Sequence, residues 1–287
     1  MNPDSSPRFA VVGHPVAHSQ SPFIHHSFGQ QTGKSLVYER LLAPLDGFRP
    51  VVTRFFNEGG SGLNVTVPFK EQAFKLAARN LSTRARIAGA VNTLWQEAGV
   101  LHGCNTDGAG LVADLARLGH AAAGKRVLLL GAGGAARGAA ASLLEAHCTH
   151  LHIANRTAAR ARRLHQDLTE QIPGSDNRLS TGSLTDLSNA HAPSDAWDIV
   201  INATSASLDT STTLDLDINY ADQALAYDMV YGARETPFMT QAREQGAGQV
   251  ADGLGMLVGQ AAVSFHIWHG VEPSIEPVLQ ALRQKLK

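Results

Sequence analysis

"KRVLLLGAGGAARGAAASLLEAH" (125–147) joins an apolar strand pattern, a glycine turn and a helix of small residues without a break. The run Val127 to Leu130 has no polar member, as a strand buried on both faces requires. The turn, "GAGGAA" (131–136), has the spacing G-x-G-x-x-A directly after that strand. In this context Gly131 permits the tight turn and Gly133 lets backbone N–H groups approach a pyrophosphate. Ala136 permits close packing of helix on strand. The helix N-terminus adds the partial positive charge that favours an anion. A glycine turn used for packing alone would read the same over these six residues, so the flanking chain has to decide.

Downstream, "HLHIAN" (150–155), "WDIVINAT" (197–204) and "LAYDMV" (225–230) read as strands with helical stretches between them. That is βαβ patterning, and it predicts a doubly wound parallel sheet. A strand that serves NAD usually ends in Asp or Glu, which accepts from the ribose hydroxyls. Here "HIANRTAAR" (152–160) ends in Asn155 and Arg156, with Thr157 as helix N-cap and Arg160 in the first turn. A cation in a first turn opposes the helix dipole. A bound phosphate beside Arg156 and Arg160 would remove that conflict and add charge-assisted bonds. The expected cofactor is therefore NADP rather than NAD. The alternative is a solvated arginine face continuing through Arg162 and Arg163. "NATSAS" (202–207) and "DMVYG" (228–232) end two further strands on the same ligand-binding edge.

Upstream, "RFAVVG" (8–13) reads as a strand and "PFIHHSFGQQTG" (22–33) as a helix. Ser21 is expected as its N-cap, with Pro22 at the first helical position and Gly33 past the end. "SLVYERLL" (35–42) and "GLNVTV" (62–67) follow as strands, and "AGAVNTLWQ" (88–96) and "GVLHGCNT" (99–106) as a strand pair. "GAGLVADLARLG" (108–119), "GLGMLVGQAAVSFHIWHG" (253–270) and "SIEPVLQALRQKL" (274–286) read as helices. The predicted architecture is α/β in two domains. A substrate domain spans 1–107, completed by the C-terminal helices of 252–287, and a cofactor domain spans 108–251.

"NVTVPFKEQAF" (64–74) carries the chemistry of the first domain. Val65 and Val67 alternate with Asn64 and Thr66, and Pro68 stops the ladder because it has no N–H to donate. A helix is expected over Glu71 to Ala78. Asn64, Thr66 and Lys70 would then share a polar edge, although a lone lysine is ordinarily a surface residue. Ser19 and Ser21 flank a helix N-terminus, which suits a carboxylate. Asn92 lies in "AVNT" and Asp107 follows "CNT", where it could equally cap a helix. Hydroxyls, amides, one acid and one lysine suit a small polyhydroxylated anion. With 6% aromatic residues, a stacking platform for sugars or bases is not expected.

The composition narrows the classes further. The 287 residues are 44% hydrophobic and 17% charged, as in globular proteins, and the net charge of -1 supplies no field for nucleic acid or an anionic membrane. No apolar run is long enough to span a bilayer, and "MNPDSSPRF" (1–9) has no apolar core of a signal peptide. Cys104 and Cys148 are too few for a disulfide framework, so a reducing cytoplasm is expected. None of the 13 histidines falls in a cluster with ligand spacing, so no metal is expected.

Taken in order, "HSQSP" (18–22), "NVTVPFK" (64–70), "AGAVNT" (88–93), "NTDG" (105–108), "GAGGAAR" (131–137), "NRT" (155–157) and "ADGLGMLVGQA" (251–261) resemble the shikimate dehydrogenase family over nearly the whole chain. The resemblance implies reversible, NADP-dependent reduction of 3-dehydroshikimate to shikimate, in chorismate and aromatic amino-acid biosynthesis. It implies an α/β substrate domain and a Rossmann-like domain facing each other across a cleft into which Lys70 turns. Carried over position by position, Ser19 and Ser21 would hold the substrate carboxylate, and Asn64, Thr66, Asn92 and Gln260 the ring hydroxyls. Lys70 and Asp107 would be the catalytic pair, with Tyr231 near the substrate. Gly131, Ala132, Gly133, Gly134, Ala135, Asn155, Arg156, Thr157, Arg160, Thr204, Met229 and Gly253 would contact the cofactor. Two positions depart from the family pattern. Cys104 stands where an acid or aromatic is frequent, and Ser205-Ala206-Ser207 replaces a stretch that usually contains glycine. A homodimer is compatible with this reading. A relative that also oxidises quinate is the nearest rival, and a non-catalytic NADP sensor would have no need of Lys70 with Asp107.

Overall fold

The computed structural model describes residues 6–189, 196–204 and 216–286; the departure at 205–207 lies outside them. The chain divides into two compact units, Met1–Gly110 with Val258–Leu282 and Leu111–Leu257 with Arg283–Lys287. Three helices contain the divisions: α5 (Asp107–Arg117), α9 (Leu254–His269) and α10 (Ile275–Leu286). No helix among the described residues is long and apolar enough to cross a membrane.

The first unit contains β1 (Arg8–Gly13), α1 (Ser21–Thr32), β2 (Val37–Leu42), α2 (Phe48–Asn57), β3 (Gly60–Val65), α3 (Lys70–Leu76), α4 (Thr83–Ala88), β4 (Thr93–Glu97) and β5 (Val100–Cys104). Its sheet has the order β2-β1-β3-β4-β5. The first three strands are parallel, and β4 and β5 add antiparallel. Ala98 and Gly99, at φ 49° and 77°, make the two-residue turn between β4 and β5. Helices α2 and α4 are additions to the sequence reading. Phe48, Val52, Phe55 and Phe56 give α2 a helical stripe that packs into the core, and Ser82 Oγ caps α4 by accepting from Ala85 N–H at 3.1 Å.

Three local expectations of the first unit are corrected. Strand β3 ends at Val65, so the alternation through Val67 fails and Val67 is 68% exposed. The chain turns at Thr66, whose carbonyl accepts from Phe69 N–H at 3.0 Å, two residues before Pro68 could stop the ladder. Helix α3 consequently begins at Lys70 rather than Glu71, and it ends at Leu76. Ser21 does not cap α1: Gln20 holds that position with helical φ and ψ and makes no side-chain cap bond. Ser21 instead opens the helix, its N–H donating to Ser19 Oγ at 3.3 Å. Gly33 does end α1, at φ 66°.

The second unit contains β6 (Arg126–Leu130), α6 (Gly134–Glu145), β7 (His150–Asn155), α7 (Ala158–Gln171), β8 (Leu179–Ser183), β9 (Trp197–Asn202), β10 (Tyr220–Asp228), α8 (Pro237–Glu244) and β11 (Gln249–Asp252). All its paired strands are parallel, in the order β11-β10-β9-β6-β7-β8. Counted from β6, this is the dinucleotide-binding order 3-2-1-4-5-6, which reverses direction between β6 and β9. Val127 to Leu130 are fully buried, so both faces of β6 are covered as its apolar run requires. The glycine turn leaves β6 at this reversal.

Candidate active site

In the first unit, the turn after β3 and the start of α5 bring Lys70 and Asp107 together. Lys70 Nζ donates to Asp107 Oδ2 at 2.6 Å, with the side chains 33% and 21% exposed. A free surface lysine is therefore excluded. The other carboxylate oxygen, Oδ1, accepts from Asn92 Nδ2 at 2.8 Å, and Asp107 N–H donates to Asn105 Oδ1 at 3.1 Å. Asp107 thus stands inside the first turn of α5, where its charge also suits the helix dipole.

Asn92 is the hub of this cluster. Its Nδ2 faces Asp107 Oδ1, Thr106 Oγ1 at 2.9 Å and Gln260 Oε1 at 3.2 Å, while its Oδ1 accepts from Thr106 N–H at 2.8 Å. Asn64 is tied to the same region: its Nδ2 lies within hydrogen-bond reach of Asn92 carbonyl, Thr93 Oγ1 and Ser264 Oγ at 3.1 to 3.3 Å. Its Oδ1 accepts from Tyr38 OH at 2.6 Å. Ser19 and Ser21 bond each other, Oγ to Oγ, at 3.1 Å, and Arg40 holds the Ser19 carbonyl through two nitrogens. Thr66 packs its methyl against Gly13, where an added Cβ would collide with it. Tyr38, Thr93, Asn105, Thr106 and Ser264 escaped the sequence reading. Asn105 and Thr106 lie within "CNTD" beside Asp107, the one local signal that could have found them.

The second unit combines glycine backbone with polar side chains at the candidate edge. Gly131 has φ 113°, and a Cβ there would lie 3.2 Å from Ala203 carbonyl carbon and oxygen, so glycine is required by the fold. At Gly133 and Gly134, by contrast, a Cβ would meet nothing within 4 Å. Among the described residues, no atom occupies the space that a side chain at those two positions would take. Ala132 and Ala135 complete the turn into α6. The end of β9 is fixed by the buried Asn202. Its Oδ1 accepts from Thr204 N–H and Oγ1 at 3.1 and 2.7 Å, and its carbonyl accepts from Met229 N–H at 3.0 Å. Gly253 N–H donates to Val230 carbonyl at 3.1 Å, and a Cβ on Gly253 would collide with Met229 carbonyl oxygen. Tyr231 follows, its phenol pushed up from the usual range by burial and then by Asp252.

Beyond β7, Asn155 Nδ2 donates to Thr157 carbonyl at 2.9 Å. Thr157 occupies the N-cap position of α7, although its side chain makes no cap bond, and Arg160 lies in the first turn. Neither Arg156 nor Arg160 has an ion-pair partner among the described residues. Ala132, Arg137, Ala159, Arg160, Arg163 and Leu164 line a depression of about 390 Å³. Arg137 pairs with Asp167 there, and Arg163, its side chain 79% exposed, lies 3.7 Å from the same carboxylate, so at Arg163 the solvated-face alternative stands. No group of three or more His, Cys, Asp and Glu among the described residues is placed to hold a metal.

Comparison with known proteins bears on both units. Residues 11–94 match the shikimate dehydrogenase substrate binding domain, 114–220 the shikimate / quinate 5-dehydrogenase family and 253–283 the shikimate 5'-dehydrogenase C-terminal domain. The shikimate dehydrogenase (NADP(+)) of Bordetella petrii is 56% identical over 282 residues, covering 98% of this chain and 96% of that one. The crystal structure of an Ael1 enzyme from Pseudomonas putida superposes with a TM-score of 0.88 at 43% identity, over 96% of this chain and 98% of that one. Shikimate 5-dehydrogenase from Thermus thermophilus, solved with NADP(H) and shikimate, gives a TM-score of 0.83 at 32% identity, over 98% and 100% of the two chains. By sequence along almost its entire length, and by fold, the chain belongs to the shikimate dehydrogenase family.

Proposed function

We propose that this protein is an NADP-dependent shikimate dehydrogenase in which Lys70 and Asp107 form the acid–base pair for reversible reduction of 3-dehydroshikimate. The observation that carries the reading is the 2.6 Å contact of Lys70 Nζ with a carboxylate that Asn92 holds by its other oxygen. NADPH, when bound, supplies the hydride. The ketone oxygen then gains negative charge and needs a proton donor beside it. Lys70 has three N–H donors; one is directed at Asp107, so two are available to substrate or solvent. Asp107 is fixed at both oxygens and cannot swing, so it sets the direction of the ammonium. In oxidation the neutral amine takes the proton back, and the one-third exposure of Lys70 lets it exchange that proton with water.

Substrate recognition is assigned to the same wall. Ser19 and Ser21 take the carboxylate at the start of α1, while Asn64, Thr66, Asn92 and Gln260 take ring hydroxyls; Tyr231, a residue of the second unit, is assigned to substrate separately. For NADP, the amides of Gly131, Ala132, Gly133, Gly134 and Ala135 hold the pyrophosphate. Asn155, Arg156, Thr157 and Arg160 take the 2′-phosphate side, and Thr204, Met229 and Gly253 the remaining edge. The missing acid at the end of β7 and two arginines with no ion-pair partner among the described residues suit the phosphate.

The test is absorbance at the reduced-nicotinamide band with shikimate or quinate, each with NADP or NAD. Absorbance should rise fastest with shikimate and NADP. Replacing Arg156 and Arg160 together by Ala should lower kcat/KM for NADP about a hundredfold and for NAD little, through the loss of two charge-assisted bonds. No rise with shikimate would remove the proposed reaction, and equal losses for both cofactors would remove the phosphate assignment.

A further inference from the structure

Arg283, near the end of α10, takes part in none of the assignments above, yet its guanidinium joins two strand ends of the second unit. Nη1 donates to Asp252 Oδ2 at 2.7 Å, Nη2 donates to Asp252 Oδ1, and Nη1 also reaches Gly232 carbonyl at 3.3 Å. Asp252 is the last residue of β11, its side chain 6% exposed, and its Oδ1 further accepts from Leu254 N–H at 3.2 Å at the start of α9. Gly232 follows Tyr231 in the turn that leaves β10.

That turn has further anchors: Met229 N–H donates to Asn202 carbonyl at 3.0 Å, Val230 carbonyl accepts from Gly253 N–H at 3.1 Å, and Asp228 holds its start. Asp228 Oδ1 accepts from Val230 N–H at 3.1 Å, and its Oδ2 accepts from Thr236 Oγ1 at 2.6 Å. Between the anchors, Met229 carbonyl lies so close to Gly253 that no Cβ fits between them. Asp228 holds the beginning of the segment, whereas Arg283 ties Gly232, at its end, to the residue preceding Gly253. A planar fork does this where a point charge could not, because both the carboxylate and the carbonyl have to be met at once.

We infer that Arg283 is a positioning residue for hydride transfer, clamping the Met229–Gly232 turn against Asp252 and Gly253. The inference rests on the reading that Met229 and Gly253 contact the cofactor. A slack turn would leave the nicotinamide poorly aligned, which lowers the rate of the chemical step more than it weakens substrate binding.

The experiment compares wild type, Arg283→Lys and the double variant Asp252→Asn/Arg283→Gln. The readouts are kcat, both KM values, thermal midpoint and the primary isotope effect with NADPH deuterated at the transferred position. Lysine keeps a charge opposite Asp252, so Arg283→Lys should fold near the wild-type midpoint. Its kcat should fall about tenfold and its isotope effect should rise, while KM for 3-dehydroshikimate should stay within about twofold. The double variant removes the buried charge as well as the fork. It should show the same rise in isotope effect, and it decides the matter if the lysine variant does not fold. An unchanged isotope effect in the folded variants, whatever happens to the midpoint, would reduce Arg283 to a structural ion pair and overturn the inference. A wild type inactive with shikimate and NADP would overturn the proposed function instead.

Discussion

In the first unit the candidate ligand groups are side chains already bonded to one another, whereas in the second many are backbone groups that glycine leaves bare. Lys70, Asp107, Asn92, Thr106 and Gln260 form one connected set, with Asn64 joined to it through Thr93 and Ser264. The proposed cofactor edge of the second unit is shaped instead by Gly131 at φ 113° and by the close approach of Gly253 to Met229 carbonyl. The difference follows from the ligand groups each side is proposed to meet. A polyhydroxylated ring has to be distinguished by the direction of individual donors and acceptors, which needs side chains locked in place. A pyrophosphate asks for several N–H groups and a favourable dipole, which a helix N-terminus supplies without side chains. The first surface is therefore vulnerable to deletion of a group, and the second to addition of one.

Deletion should have the largest effect. Lys70→Ala should lower kcat by about two to four orders of magnitude, the usual range for a positioned acid–base group, with a much smaller change in either KM. Steady-state kinetics in both directions checks this. An intact thermal midpoint should accompany the loss, since a lysine one-third exposed supports little of the core.

Addition comes next. Gly253→Ala places a methyl against Met229 carbonyl oxygen, and the backbone has to move to admit it. Denaturant unfolding should show a loss of about 1–3 kcal/mol, the usual cost of overpacking. KM for NADP should rise while KM for shikimate holds. A change in the shikimate KM alone would blur the distinction between the two surfaces.

The smallest effect at neutral pH is a pH dependence seated behind the candidate substrate wall. His25 is buried and stacks on Tyr38 with ring centroids 4.4 Å apart, and Tyr38 OH holds Asn64. Burial pushes the His25 imidazole down to about 3, so it stays neutral in the fold while the unfolded chain takes up a proton below pH 6.5. The unfolded state then binds more protons throughout the window between those values, and stability must fall as pH falls. The loss from this group should be on the order of 2 kcal/mol by pH 5. His25→Gln should flatten that slope in acid unfolding followed by circular dichroism. His152, lowered to about 4 by burial, gives a dependence of the same sign in the second unit, and the variant should leave it in place.

How far the sequence could be read depended on the distance over which each feature is determined. The strand, glycine turn and helix of 125–147 are contiguous, so local rules identified them and the parallel sheet around them. Lys70 and Asp107 stand out by chemistry, but their contact depends on a fold that joins residues 37 positions apart. Ser264 reaches Asn64 across 200 positions, and no local pattern marks it among the apolar residues of α9. Helix α2 is not legible locally because "FRPVVTRFF" (48–56) mixes β-branched and aromatic residues with a proline, which obscures a helical stripe. Ser21 misled for a different reason. A serine before a proline is a common cap, but Ser19 had already supplied the hydroxyl that receives Ser21 N–H, and the helix began one residue earlier.

The most direct test of the Lys70 assignment is chemical rescue of Lys70→Ala with a small primary ammonium ion during reduction of 3-dehydroshikimate by NADPH. A group that acts only by delivering a proton can be replaced in part by a free one of the same chemistry. The rate of the variant should climb with methylammonium concentration, and the wild-type rate should not respond. A near-normal kcat in Lys70→Ala without added amine would contradict the catalytic assignment and return Lys70 to binding.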